Sequence, residues 1–341
     1  MQGKNEEVDA GMMTFLLKII AGAALMLLVG IFAILFEGLD RVIHAKMQRR
    51  VGPPVLQAFY DILKLLGKEN ITPRSGNKWL FNMSPWFSVA VTLLVFMYIP
   101  IGSFPAILGT SGGLILIIYL LGLSAVMMAI GGFASGNPIA NVGAQREMIL
   151  MMSYELPLAV VVTTMAWLAY TLGLPGQPFS LETFAATSVW GVVGKAGIFG
   201  LALLMVSLIL VIPGETGKGI MDITEAKTEI LEGLTIEYSG TNLAMIHLAI
   251  SLRALAMSGV IVGLFIPWSL GASIGFSGGL LFAVDFVWFW VKTFAVAILG
   301  VTLIRTAYGR FKIWQASEFY WFKTAGLALA GMILLSLDVL L

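Results

Sequence analysis

Residues 191–266 read GVVGKAGIFGLALLMVSLILVIPGETGKGIMDITEAKTEILEGLTIEYSGTNLAMIHLAISLRALAMSGVIVGLFI. Two apolar blocks, near 191–213 and 241–266, flank a loop at 214–240. That loop gathers Asp222, Glu225, Glu229, Glu232 and Glu237, in a chain with few charges. Each block suffices to cross a bilayer, which takes about 20 residues of helix. Backbone in lipid must satisfy its own hydrogen bonds, so both blocks are read as transmembrane helices. Acids concentrated beside a membrane point to protons, cations or a partner subunit.

Working outward, the same block pattern fills the chain. The 341 residues are 59% hydrophobic and 11% charged; a soluble domain carries roughly twice that charge fraction. Eight apolar blocks are predicted, near 14–36, 85–105, 113–133, 146–172, 191–213, 241–266, 279–304 and 318–341. The second is the weakest, because Pro100, Gly102 and Pro105 mark its end. The expected fold is all-α: a polytopic membrane protein forming a single transmembrane domain over residues 1–341. No internal repeat or inverted pair of broken helices appears, which disfavours a stand-alone transporter.

Charge placement predicts orientation. The 37–84 loop holds Arg41, Lys46, Arg49, Arg50, Lys64, Lys68, Arg74 and Lys78, and further cations follow the third, fifth and seventh blocks. Loops 106–112, 173–190 and 267–278 have neither Lys nor Arg. The positive-inside rule then makes the 37–84 and 214–240 loops cytoplasmic and both termini external, in a plasma membrane. Within the first loop, VLQAFYDILKLLGKE (55–69) places Leu56, Phe59, Ile62, Leu63 and Leu66 on one helical face, with Asp61, Lys64 and Lys68 largely opposite. It is expected to lie along the membrane surface.

Composition excludes several functions. A net charge of +1 gives no basic surface for nucleic acid. With no cysteine, the chain offers no thiolate to an iron–sulfur cluster. His44 and His247 lack metal-ligand spacing. His247, on an apolar helix, is expected to be a buried hydrogen-bonding histidine. Gly214-Glu-Thr-Gly217-Lys218 lacks the strand and spacing of a phosphate loop.

The remaining ionisable residues carry the candidate chemistry. Glu225, Glu229 and Glu232 fall at i, i+4 and i+7, so a helix here would align three carboxylates on one face. Crowding and burial would raise at least one pKa. Glu155 lies inside the fourth block, and intramembrane carboxylates are functional candidates by default. Pro157 frees the Ser153 carbonyl, which could hold water beside it. Glu147 lies two turns toward the cytoplasm. Arg253, Asp285 and Lys292 are intrahelical charges expected in a hydrated interior. Together with Asp222 and Glu237, these residues form an expected proton or ion path. Against it stand plainer readings: a solvated acidic loop, static interhelical ion pairs, and basic residues that only enforce topology.

Several stretches resemble one family. AKMQRRVGPPVLQAFYDILKLLGKE, SYELP, GETGKGIMDITEAKTEILEGLTIEYSG and RTAYGRFKIWQ are similar to the H-subunit (mitochondrial ND1) family of respiratory complex I. That family includes the matching subunit of energy-converting [NiFe] hydrogenases. The resemblance covers the chain after residue 14. Quinone-using members typically read GPNR where this chain has Gly52-Pro53-Pro54, and carry a glutamate at the position of Ile250. Arg253, one turn later, is closer to the hydrogenase-type branch. The resemblance therefore implies a subunit without its own redox centre, linking a ferredoxin-fed peripheral module to proton or sodium translocation. Iron–sulfur clusters and an [NiFe] centre, or a sulfur-reducing site, would lie in hydrophilic partners. Antiporter-like membrane subunits would be neighbours. Arg41, Lys46, Arg49, Arg50, Arg305 and Arg310 would meet the peripheral subunits. The alternatives are a quinone-site subunit, with an entry framed by the 55–69 helix, and a passive anchor.

Overall fold

The computed structural model describes the backbone of residues 2–109 and 113–340, with side chains from residue 16. Its helices are α1 (Gln2–Met47), α2 (Gln57–Leu66), α3 (Lys78–Val95), α4 (Leu114–Ala134), α5 (Pro138–Thr171), α6 (Leu181–Ala186), α7 (Lys195–Thr216), α8 (Lys227–Ile230), α9 (Gly240–Phe265), α10 (Leu270–Ile274), α11 (Gly279–Ala307) and α12 (Ile313–Leu340). Among the described residues, α1, α4, α5, α7, α9, α11 and α12 are long and apolar enough to span a bilayer. The fold is all-helical with seven such helices.

The second expected span, 85–105, is displaced. Its helix is α3, 18 residues long, which starts at Lys78, just after Asn77, whose side chain caps Trp79 and Leu80. Beyond Val95 the chain turns. The Ile101 and Phe104 backbones bond each other at 3.1 Å in both directions. Pro100, Gly102 and Pro105 cannot sustain a helix there.

Helix α9 is the axis of the bundle: 89% of its apolar window is buried, against 22% for α1 and 28% for α12. It packs on α1, α3, α7 and α11. Its buried small residues, among them Ala244, Ala249, Ala254, Ala256 and Gly259, let neighbouring backbones approach, as membrane helix packing favours.

Two boundaries matter for the site. Helix α1 runs on past the expected end at 36, because Glu37, Asp40, Arg41 and His44 share helical spacing and meet partners inside the bundle. Asp40, fully buried, accepts from Arg305 at 2.9 Å and Thr302 at 2.7 Å. A wide π-type turn at Ile298–Leu303 of α11 sets the register of these two partners. Helix α5 starts at Pro138, capped by Asn137, so Glu147 lies well inside it.

The surface helix is shorter than the 55–69 expected. It packs on α1 and α9. Leu56, Phe59, Tyr60, Leu63 and Leu66 stay exposed, while Ile62 turns inward onto the core, not along the exposed stripe. Asp61, partly exposed, takes a 2.6 Å bond from Arg41 and a 2.9 Å bond from Gln57. Against burial, which would raise it, those bonds hold the Asp61 carboxyl below its usual range.

Candidate functional site: a polar cavity with buried acids at its inner end

The ends of α1, α4, α5, α7, α9 and α11 converge on one side of the bundle around a cavity of about 430 Å³. Its wall carries Glu37, Asp222, Glu225 and Glu147, with Lys218, Arg253 and Arg305 among them. His44 and His247 also face it. His247 is open to this space and not the buried hydrogen-bonding histidine expected.

The loop from 217 to 239 roofs the cavity. Gly217 closes α7 in the left-handed conformation (φ 61°), where a side chain would be strained. The loop then folds as short turns, not the helix needed to align the acidic trio. Helix α8 spans four residues, and Leu231 (φ 59°) and Gly233 (φ 50°) both leave helical space. The trio is therefore dispersed. Glu225 tucks into the cavity. Glu229 points out and joins Arg146 at 2.7 Å and Arg310 at 3.1 Å. Glu232 is exposed, 4.0 Å from Lys227.

The electrostatics follow this separation. Burial, then the charges of Asp222 and Glu147, push the Glu225 carboxyl up to about 7. Burial also raises Asp222, against the pull of Arg310 and Lys227. The Arg146 hydrogen bond holds Glu229 below its ordinary value. A carboxyl near 7, as Glu225 has, exchanges its proton at physiological pH.

At the inner end Arg253, 1% exposed, donates to Glu147 Oε1 at 3.3 Å. Its other terminal nitrogen meets Met128 Sδ at 3.0 Å, and its Nε has no partner among the described residues. Behind it lies Glu215, 1% exposed, facing Arg253 and Tyr154. Neither Glu215 oxygen, nor the Tyr154 hydroxyl, finds a hydrogen-bond partner among the described residues. Buried polar atoms are normally satisfied, by protein or by water. A cluster of four unsatisfied atoms is thus suited to ordered water. Glu155, half-buried on α5, comes next: its charge acts on Glu215, as does that of Glu147. Eight residues of helix, about 12 Å, separate Glu147 from Glu155. Glu215, from α7, stands between them. The acids therefore run Glu225, Glu147, Glu215, Glu155.

Other expected site residues lie elsewhere. Asp285 and Lys292 are at the opposite end of α9, outside the cavity. Asp285 accepts from the Gly271 backbone at 2.7 Å and from Ser103. Lys292 donates to the carbonyls of Ile266 and Trp268 at 2.7 and 3.0 Å. Both staple loops to α11. Glu237 accepts from Asn137 at 2.6 Å, tying the loop to the start of α5. Of the expected peripheral contacts, Arg41, Arg305 and Arg310 are engaged in ion pairs within the chain. Lys46 sits exposed on the last turn of α1, and Arg49 and Arg50 are exposed on the turn that follows.

Glu37 on the cavity wall and Glu215 behind Arg253 are the acids that the sequence reading missed. Glu37 pairs with Lys218 and Arg41 and accepts from Ser251 at 3.0 Å. Glutamates just past the apparent end of an apolar block were the available signal. Beneath α2, a second chamber of about 30 Å³ touches Glu37 and His247.

Comparison with known proteins agrees with this architecture. The chain is 29% identical to formate hydrogenlyase subunit 4 of Escherichia coli over 89% of its own length and 93% of the relative's. It is 32% identical to hydrogenase-4 component C of the same organism, over 69% and 71%. It is 26% identical to the H-subunit of the NADH-quinone oxidoreductase of Phocaeicola vulgatus, over 94% and 90%. In three dimensions it matches a chain of the membrane-bound sulfane sulfur reductase, an archaeal respiratory membrane complex, with TM-score 0.77 and 26% identity over 93% and 98% of the two chains. Residues 20–336 match the family model described as NADH dehydrogenase. The chain belongs to that family, the complex I H-subunit type, and is a membrane subunit of complex I-like or hydrogenase-type respiratory complexes.

Proposed function

We propose that this chain couples electron transfer in peripheral partner subunits to movement of protons or sodium ions through its acid row. The loops around the cavity face the cytoplasm of a plasma-membrane complex, as the positive-inside rule favours. Hydrophilic partners hold the iron–sulfur clusters and the [NiFe] or sulfur-reducing centre, with ferredoxin as the distant donor. This chain supplies no redox centre. Electron arrival near the cavity changes its charge; Glu225 responds by gaining or losing a proton. The change passes to Glu147 and Glu215 and on to Glu155, which lies on α5 beside Gly122 of α4, and from there to antiporter-like neighbours.

The observation that carries this reading is the buried set Glu147, Arg253 and Glu215, where two carboxylates share one guanidinium. With both acids ionised the set would bear a net charge on nearly buried groups, which costs several kcal/mol. Holding one exchangeable proton or cation neutralises it. A passive anchor gains nothing from such an arrangement. The quinone alternative has the size of this polar cavity and the NADH-quinone oxidoreductase relatives in its favour, since small-molecule sites commonly occupy about 300–1,000 Å³. The chamber beneath α2 holds little more than one water, too narrow to admit a quinone ring.

The test is Glu147→Gln in the whole complex, reconstituted in vesicles. Assembly and electron transfer are expected to persist while ion uptake per electron falls at least about tenfold, the scale of about 1.4 kcal/mol. Unchanged uptake would remove the acid row from the mechanism.

A further inference from the structure

We propose that Tyr320 is the positioning residue of Glu215: its hydroxyl splices the end of α7 where Pro213 interrupts the helical ladder. The proposal rests on the reading of Glu215 as a member of the acid row. Pro213 has no N–H, so the Ile209 carbonyl loses its helical partner, and the last turn of α7, which bears Glu215, is held more weakly than the rest. Tyr320 reaches this step from α12. Its hydroxyl donates to the Leu210 carbonyl at 3.1 Å. It also lies so close to Gly214 that any side chain there would collide with it. Its ring meets that of Tyr154 edge-on at 6.2 Å, and Tyr154 is the neighbour that Glu215 faces.

The register of α12 exists to make this contact. Residues Phe319–Thr324 form a π-type turn, which inserts one residue and rotates the rest of the helix by about 100°. The turn is clamped by Ser207, which donates to the Thr324 carbonyl at 3.1 Å. A second wide turn, in α11, sets Gly300 against Ile212, one residue before the same proline. Two rare turns on separate helices thus flank one broken step of α7. Glu215 has no hydrogen bond of its own among the described residues to fix it; its place is set by the backbone that Tyr320 holds.

The experiment uses the intact complex in vesicles and follows ion uptake per electron as pH is varied. Tyr320→Phe keeps the ring and removes the hydroxyl. Uptake is expected to fall about fivefold, the scale of one hydrogen bond, with the pH profile displaced. Pro213→Ala supplies an N–H for the Ile209 carbonyl. Combined with Tyr320→Phe, it is expected to return uptake and profile toward those of the unmodified complex. A Tyr320→Phe complex with an unchanged profile, where Glu147→Gln has lost uptake, would overturn the role of Tyr320 and leave the acid row standing. Unchanged uptake in Glu147→Gln would instead sink the acid row and this proposal with it. If Tyr320→Phe alone does not assemble, the double variant decides: restored assembly and uptake support the splice, and persistent loss overturns it.

Discussion

Arg253→Met is expected to abolish ion uptake and to destabilise the complex by about 3–5 kcal/mol, the usual cost of removing one partner from a buried pair. Methionine keeps much of the side-chain volume, so little of this loss comes from a cavity. The cost arises because Glu147 and Glu215 lose the one cation they share. Without that countercharge, movement of charge along the row is expected to stop. Thermal denaturation of the purified complex measures the first effect and vesicle uptake the second. Arg253→Lys retains the charge but not the planar fork that reaches Glu147 and Met128 together. It is expected to fall between the two. An Arg253→Met complex as heat-stable as the unmodified one would mean the pair is dispensable to the bundle.

Glu225→Gln is expected to remove the pH dependence that Glu225 confers near neutrality. Its carboxyl titrates at about 7 in the folded chain, against 4.5 for the free group. Between these values the folded state binds more protons than the unfolded state. Stability from this group is therefore greatest below 4.5 and declines as pH rises to about 7. The shift sets an upper bound of about 3 kcal/mol, reduced by the water-accessible cavity in front of the residue. The unmodified complex should lose heat stability across that interval, and its uptake should inflect near pH 7. In Glu225→Gln both features should flatten. An inflection of the same size in the variant would assign it to another group on the cavity wall.

Much of the architecture could be read from hydropathy, because lipid leaves the backbone few choices. Arg253 and Glu155 were legible for the same reason: a charge within an apolar block has few idle explanations. The failures have local causes. Glu215 sits two residues after Pro213, where an ending helix is the natural expectation; α7 instead continues to Thr216 across the proline. Glu37 and Asp40 read as loop residues because charge ordinarily marks the end of an apolar block, whereas Lys218 and Arg305 satisfy them inside the bundle. The spacing of Glu225, Glu229 and Glu232 is truly helical, yet Arg146 and Arg310 draw Glu229 outward and the backbone at Leu231 and Gly233 breaks the turn. Tertiary ion pairs outweighed local propensity there. Asp285 and Lys292 looked like path residues because spacing alone cannot tell a stapled loop from a hydrated interior.

The central claim is that an acid row runs unbroken from the cavity to Glu155 on α5, and Glu215 is the member that closes its gap. Ion uptake per electron by vesicles containing the Glu215→Gln complex tests it most directly. Electron transfer at its normal rate with uptake reduced at least about tenfold is the predicted result. Full uptake from the amide variant would contradict it.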